Sequence, residues 1–227
     1  MTPDLTKEQQ ASLQRPLYPY SPAARFFFWS MDLMTGKKTT LPKVKLIEIL
    51  ASVPYHSWEL RQQKLRARPE HDQNDLTELS EEEKILLWAR AAKDNENWHL
   101  LVVNEKIKED GIKEPWYLSA PFPQLMVRVY SLMTRAMAWN GIHNAFLFNA
   151  EFEDHAEHEY AQFVEDHPEW EQQPVDNKLI NKSGELPTWA EVFKRIGLDE
   201  RDHMNTSFLF CDKEELIVKY EGMPQYP

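Results

Sequence analysis

The strongest constraint on the fold of this chain is a set of glutamates placed inside apolar helical stripes. Four stretches have apolar residues at steps of three and four, which is the periodicity of an α-helix with one buried face. Each stretch carries a glutamate where a bundle helix usually has Leu or Ala, and two of them add a histidine three residues later. The residues are Glu48, Glu96, His99, Glu153, Glu200 and His203. An unpartnered buried carboxylate costs on the order of several kcal/mol, so the set predicts a paired or metal-bound cluster.

The order of these residues along the chain is more informative than any one pair. Glu-x-x-His occurs at Glu96 to His99 and at Glu200 to His203, and this spacing places both side chains on one helix face, where both can bind one ion. A single pair is weak evidence, because it arises by chance in a chain rich in glutamate. The full order is Glu, Glu-x-x-His, Glu, Glu-x-x-His, which is the ligand pattern of di-iron and di-manganese carboxylate bundles. The alternative is that these are ordinary side chains on solvated helix faces.

Composition favours one all-α domain. Only six glycines occur in 227 residues, which suits long helices better than a sheet with many tight turns. We expect a ferritin-like four-helix bundle with additional helices at 41–214, preceded by an extended N-terminal arm at 1–40 and followed by a C-terminal tail at 215–227. Ser80 and the three glutamates after it predict the start of a long helix, preceded by a polar connection at 67–80.

Charge and cysteine content limit the possible partners. A formal net charge of -11 argues against a general nucleic-acid binder. Residues 1–68 nevertheless carry an excess of six positive charges, which could face anionic lipid headgroups. The single cysteine, Cys211, excludes an intrachain disulfide. We find no apolar run near the ~20 residues that a membrane span requires, and no signal peptide in residues 1–24, so we expect no transmembrane span.

A further apolar stripe, flanked by arginines, is typical of a helix that lies at a membrane interface. The stripe consists of Met126, Tyr130, Met133 and Met137. Arg128 and Arg135 flank it. Three apolar residues beside the first glutamate could extend it, namely Leu46, Leu50 and Val53. Core packing or a dimer face explains the same pattern equally well.

Four segments around the glutamates carry a resemblance to a known family. They are Leu46-Ile47-Glu48 with Val53-Pro54-Tyr55, Asn95-Glu96-Asn97-Trp98-His99-Leu100, Glu153-Asp154-His155-Ala156 through Tyr160, and Asp199-Glu200-Arg201-Asp202-His203. Together they resemble the alternative oxidases, and within that family the plastid terminal oxidase branch. The likeness covers about residues 43–208.

The resemblance implies a non-haem di-iron centre with two Fe ions per chain, bound by the six residues named above. Asn95 and Asp199 would hydrogen-bond to the ligands and fix their orientation, and Tyr160 would be a catalytic residue near the irons. The resemblance implies a substrate site with four members. They are Lys43, Ile47, Ala156 and Glu159.

The chain departs from the family pattern in three places. An arginine usually lies one turn before the first ligand, whereas Lys43 and Lys45 are the nearest cations here, and lysine lacks the planar fork of arginine. The tryptophan expected before the last Glu-x-x-His has no counterpart in residues 175–185. His155 and His158 are additional, and we expect both at the surface.

The function implied is that of a quinol oxidase in an electron transport or respiratory chain. It would oxidise ubiquinol or plastoquinol and reduce O2 to water without proton pumping. We expect a homodimeric, monotopic membrane protein on one leaflet, facing the cytoplasm, at a prokaryotic inner or thylakoid membrane. Two alternatives share the ligand pattern: another di-iron oxygenase or hydroxylase, for example one acting on a quinone ring, and a ferritin-like iron-binding protein. Manganese fits the ligands as well as iron does.

Overall fold

The computed structural model describes residues 2–66, 79–181 and 185–225. Within these ranges the regular structure is helical, apart from one isolated bridge between Pro174 and Thr188. The α-helices are α1 (Leu5–Gln14), α2 (Pro22–Thr35), α3 (Leu41–Arg66), α4 (Glu81–Glu109), α5 (Phe122–Asn140), α6 (Ile142–Glu165) and α7 (Trp189–Leu209). The prediction of an all-α fold is confirmed. The ferritin-like arrangement stays a prediction.

The chain forms two compact units. The first unit contains Met1–Lys43 and Asn140–Tyr226, and the second contains Val44–Trp139. The first unit therefore holds α1, α2, α6 and α7, whereas the second holds nearly all of α3 and α5 and the whole of α4. The domain boundaries at residues 40 and 214 that were expected from the sequence stay a prediction.

Helices α6 and α7 form the centre of the first unit. They pack against each other, and α1 contacts both. Aromatic rings fill part of their interface, where the ring centroids of Phe163 and Phe193 lie 5.7 Å apart. Trp170, which follows α6 in the chain, adds a ring whose centroid is 4.8 Å from that of Phe193. The side chain of Thr188 caps α7 by accepting a hydrogen bond from the backbone amide of Glu191.

The expectation of an extended arm at residues 1–40 is wrong, because two helices form there. Asp4 caps α1 and Ser21 caps α2, each by accepting a hydrogen bond from a backbone amide. Pro22 occupies the first position of α2, where its missing amide hydrogen costs nothing. Hydrophobic periodicity does not reveal α1, because the side chains that it buries are polar. They are Glu8, Gln9 and Ser12.

A buried ion network attaches α1 to α6 and α7. Arg201 of α7 donates to Glu157 Oε1 at 2.9 Å and to Glu8 Oε2 at 2.5 Å. Arg15, directly after α1, donates to Asp154 Oδ1 at 2.5 Å and to Glu157 Oε2 at 2.7 Å. Each of these carboxylates therefore has a guanidinium partner that offsets its loss of hydration.

We predict that Arg201→Met lowers the free energy of unfolding by about 3–5 kcal/mol, because Glu8 and Glu157 would lose a buried cationic partner. Urea denaturation followed by circular dichroism measures the change. Arg25→Met is the matched control, since Arg25 is exposed on α2, and it should stay within about 0.5 kcal/mol of the parent. A similar, small change in both variants would contradict a stabilising role for the network.

In the second unit, the predicted start of the long helix is confirmed. The Ser80 side chain accepts a hydrogen bond from the Glu83 amide, and the Glu83 carboxylate accepts one from the Ser80 amide. Pro54 lies inside α3, which continues to Arg66. Most of the polar connection expected at 67–80 lies outside the described residues.

Helix α5 presents a different apolar face from the one expected. Tyr130 is buried, and so are the three residues of α3 proposed to extend the stripe, which belong to the core. The interpretation that these three residues of α3 extend an interfacial stripe is therefore wrong. The apolar side chains of α5 that are exposed are Phe122, Leu125, Val129, Leu132 and Trp139. None of the described helices has the combination of length and apolarity needed to cross a bilayer.

Candidate metal centre

The second unit contains a buried cluster of two carboxylates and one imidazole, which we call the α3/α4 cluster. Its members are Glu48 of α3 and Glu96 and His99 of α4, and all three are 0% exposed. Each offers a ligand atom within 4.8 Å of the others. His99 Nδ1 lies 3.4 Å from Glu48 Oε2 and 3.5 Å from Glu96 Oε2. These distances allow the three side chains to bind one cation.

The first unit contains a cluster of the same composition, the α6/α7 cluster. Its members are Glu153 of α6 and Glu200 and His203 of α7, and all three are buried. Their ligand atoms also lie within 4.8 Å of one another. His203 Nδ1 is 3.5 Å from Glu200 Oε2. Among the described residues, each unit therefore contains a three-residue group that could hold a metal ion.

Helical periodicity explains why these side chains are buried. In all four helices a buried residue lies four positions before the glutamate. Two more buried residues lie three and seven positions after it. The four series are Val44, Glu48, Ala51, Tyr55; Ala92, Glu96, His99, Val103; Asn149, Glu153, Ala156, Tyr160; and Ile196, Glu200, His203, Ser207. The position three residues after the glutamate is Ala in α3 and α6 and His in α4 and α7. Each unit thus combines one Glu-x-x-Ala helix with one Glu-x-x-His helix.

A neutral amide orients one of the glutamates. Asn149 Nδ2 donates to Glu153 Oε1 at 3.1 Å and to Ser207 Oγ at 3.0 Å, and so connects α6 to α7. The sequence interpretation did not identify Asn149, although it lies one turn before Glu153 on the same face. The expectation that Asn95 and Asp199 hydrogen-bond to the ligands stays a prediction. Asn95 is half-buried on α4, and Asp199 forms an ion pair with Arg195.

The other buried acids of α6 are held by the N-terminal segment. Asp154 accepts hydrogen bonds from Arg15, from the Tyr18 amide and from the Tyr20 hydroxyl. Glu151 accepts hydrogen bonds from the amide and the hydroxyl of Ser21, although burial still raises its pKa. These hydrogen bonds and this ion pair go to Asp154 and Glu151, the acids on either side of Glu153 in the sequence.

The C-terminal segment makes a similar contact beside His203. The Tyr220 hydroxyl donates to the Asp202 carboxylate at 2.8 and 2.9 Å, and burial raises the pKa of Asp202 to about 6. Asn205 holds the same segment through reciprocal hydrogen bonds with the backbone of Val218. Residues on both sides of His203 are therefore fixed by polar contacts, which restricts how far its ring can move.

Tyr160 is buried on α6, two turns after Glu153. Its ring stacks on that of Phe193, with centroids 6.1 Å apart and planes inclined by 26°. Gly197 of α7 allows this approach, since a Cβ at that position would lie 3.3 Å from the Tyr160 Cβ. A larger residue at 197 would displace the tyrosine or separate the two helices.

The structure brings two of the four expected substrate residues together. Lys43 is buried, and its Nζ lies 3.2 Å from Glu159 Oε2 and 3.0 Å from Asp32 Oδ1. The Thr39 hydroxyl donates to the same Glu159 oxygen at 2.5 Å. Ala156 is buried in this unit, three residues before Glu159, and Ile47 is buried on α3 in the second unit. Their assignment to a substrate site stays a prediction.

The expectation that His155 and His158 lie at the surface is wrong. Only 16% of each side chain is exposed. The ring of His155 stacks on Phe28 with centroids 4.1 Å apart, and burial lowers its pKa. His158 bonds to the backbone carbonyls of Asp154 and Arg15. The aromatic and arginine residues that cover them belong to the segment expected to be extended, which is why the sequence interpretation missed this burial.

The donors of each cluster fit a divalent transition metal. Carboxylate oxygen and imidazole nitrogen are typical ligands of non-haem iron and manganese. Two ionised carboxylates also balance the charge of one divalent ion, which reduces the cost of burying them. The residues present in both clusters therefore suit a bound iron or manganese ion.

No protein-family model matches this chain, and no curated protein matches it in sequence. The chemistry of the two clusters and the motif resemblance are accordingly the basis of the functional proposal.

We predict that Asn149→Leu weakens metal binding about 10–100-fold, because Glu153 would lose the donor that orients it. Anaerobic titration with Fe(II) alone, followed by absorption spectroscopy and equilibrium dialysis, measures the affinity. Ser207→Ala is the control, since it removes the second partner of Asn149 and leaves the bond to Glu153. Unchanged affinity in a folded Asn149→Leu protein would show that the amide does not position the ligand.

Proposed function

We propose that the α3/α4 and α6/α7 clusters together form one di-iron centre, and that the protein is a quinol oxidase resembling the alternative oxidases. The observation that carries the proposal is the presence of two buried clusters of identical composition, each made from one Glu-x-x-Ala helix and one Glu-x-x-His helix. Di-iron carboxylate bundles use four such helices, all projecting their ligands inward. Six ligands with four negative charges suit two divalent ions.

The bound irons would supply redox chemistry that no side chain of the chain can provide, by accepting electrons from quinol and passing them to O2. The proposed reaction consumes two quinols and one O2 and yields two quinones and two waters. The four carboxylates would balance the charge of the metal pair as its oxidation state changes. Full burial of the ligands keeps bulk water away, which limits release of partly reduced oxygen.

We propose Tyr160 as a catalytic residue beside this centre. Each quinol carries two electrons whereas O2 requires four, so an oxidisable side chain near the metals would help to complete the reduction. A phenol can supply one electron and one proton. Stacking on Phe193 and the close approach of Gly197 hold the Tyr160 ring in one place, as a fixed electron donor requires.

We further propose that Lys43 and Glu159 contact the quinol. The two groups lie 3.2 Å apart and offer complementary functions: the ammonium can donate a hydrogen bond to a quinol oxygen, and the carboxylate can accept one from a quinol hydroxyl. Lys43 would take the place of the usual arginine as a single point donor, without a bidentate fork. Ile47 and Ala156 are proposed as apolar contacts of the quinone ring.

Quinols reside in lipid, so the proposal includes attachment to one membrane leaflet. Two helices offer suitable faces, α2 in the first unit and α5 in the second. Helix α5 exposes apolar residues at steps of three, four and seven from Phe122 to Trp139, and α2 exposes Phe26, Trp29 and Leu33 at steps of three and four. A continuous exposed apolar stripe on a helix is typical of interfacial binding. A homodimer is part of the same proposal.

We predict that the purified chain binds about two irons, and that Glu48→Ala, Glu153→Ala or His203→Ala lowers this content and disrupts magnetic coupling between the ions. Elemental analysis gives the stoichiometry, and electron paramagnetic resonance of the oxidised protein distinguishes a coupled pair from two isolated ions. Glu59→Ala is the matched control, because Glu59 is a buried acid of α3 that pairs with Arg90 and Lys93 instead. Two uncoupled irons would refute a shared centre.

The reaction products distinguish the proposed quinol oxidase activity from the two alternative functions. A quinol oxidase returns quinone and water, whereas an oxygenase transfers an atom of O2 into its organic substrate, which isotope labelling detects. A ferritin-like protein would accumulate many irons per chain and ignore quinol.

We predict that Tyr160→Phe folds, keeps its irons and loses quinol-dependent oxygen uptake by about tenfold or more, because only the redox-active hydroxyl is removed. An oxygen electrode measures the rate. Tyr117→Phe, which removes a buried hydroxyl elsewhere, should retain activity. Near-normal uptake by iron-replete Tyr160→Phe would assign that tyrosine to core packing.

A further inference from the structure

The second unit contains a groove of about 630 Å3 between the C-terminal parts of α3 and α5. This volume falls within the roughly 300–1,000 Å3 of typical small-molecule sites. None of the cluster ligands and none of the proposed substrate residues lines it. The groove is therefore separate from the site described above and requires its own explanation.

The charge of the groove is opposite to that of the chain. Arg61 and Lys64 of α3 and Arg135 of α5 line it, and its described lining contains no carboxylate. Within the described residues none of these three cations forms a salt bridge, whereas Lys45 pairs with Glu114 in the same unit, and Lys93 pairs with an acid of α3. In a protein with a net charge of -11, three such cations in one groove favour an anionic ligand.

Apolar surface accompanies these charges. Leu60, Leu65 and Trp139 also line the groove, and Trp139 is 92% exposed. Trp139 is at the same time the last member of the exposed apolar stripe of α5. A ligand that fills the groove must therefore combine an anionic group with an apolar body, a requirement that a free inorganic anion does not meet.

We propose that this groove binds one molecule of an anionic phospholipid. The phosphate lies among Arg61, Lys64 and Arg135, and an acyl chain runs along Leu60, Leu65 and Trp139. Guanidinium groups suit the phosphate because they donate two parallel hydrogen bonds, and indole suits the boundary between headgroup and acyl chain. The inference rests on the proposed membrane attachment as the source of the lipid, and it is independent of the metal centre.

Binding of short-chain phosphatidylglycerol, held below its critical micelle concentration, tests the proposal without a bilayer. Isothermal titration calorimetry on the full chain should show one site, at least about tenfold tighter for phosphatidylglycerol than for phosphatidylcholine of equal chain length or for glycerol phosphate. Arg61→Gln, Lys64→Gln and Arg135→Gln should each weaken binding about fivefold, as expected from the contribution of one cation. Arg128→Gln is the matched control, because Arg128 is exposed on α5 outside the groove, and it should leave the affinity unchanged.

Several outcomes would overturn the proposal. Equal binding of both lipids would indicate apolar partitioning, and equal binding of glycerol phosphate would indicate a site for free anions. Unchanged affinity in all three groove variants would remove the groove as the site. A concentration-dependent dimer that buries Trp139 and excludes the lipid would assign the groove to a subunit interface.

Flotation with liposomes separates this inference from membrane attachment. If the wild-type chain floats with vesicles but does not bind the short-chain lipid, the groove inference fails and the proposed attachment stands. If it binds the short-chain lipid with the expected variant pattern but does not float, the lipid site stands and the attachment through the helix faces fails.

Discussion

Buried carboxylates determine what the rest of this structure must supply. Among the described residues nine acidic side chains are buried, and four of them are the glutamates of the two clusters. Burial of an ionised carboxylate costs on the order of several kcal/mol unless a cation or hydrogen-bond donors replace the lost water. The helices bring the acids together because they are amphipathic, so the chain needs compensating groups at defined positions. The N-terminal segment supplies many of these groups, through Arg15, Ser12 and Ser21.

This requirement explains how α1 is held against the rest of the first unit. Helix α1 has little apolar surface of its own, and its buried residues are Glu8, Gln9 and Ser12. Its side chains are held by hydrogen bonds and ion pairs to buried acids of α6 and to the buried Arg201 of α7. The docked segment in turn leaves Glu153 next to the neutral amide of Asn149, while Asp154 and Glu157 receive guanidinium groups. The same segment thus stabilises the first unit and separates structural acids from a candidate ligand.

The sequence predicted those structural features that follow from helical periodicity. It did not predict features that depend on contacts between segments distant in the chain. The helical class, the capping box at Ser80 and the burial of all six candidate ligands followed from stripes and caps, which are local signals. Helix α1 and the burial of His155 depend on partners more than a hundred residues away, for which one sequence has no signal. The face of α5 was misassigned because methionines and leucines alternate around that helix, so its apolar pattern alone does not identify the exposed side.

The cluster carboxylates lie beside side chains that could also act as metal ligands. Several buried acids outside the clusters have a permanent cation beside them: arginine at Glu157 and Asp154, and arginine with lysine at Glu59. At the clusters, histidine nitrogens lie 3.4–3.5 Å from carboxylate oxygens of Glu48, Glu96 and Glu200. Imidazole nitrogen and carboxylate oxygen are both good ligands for a transition metal. The same composition recurs in the two units, so each contains a group of side chains that could hold a metal ion.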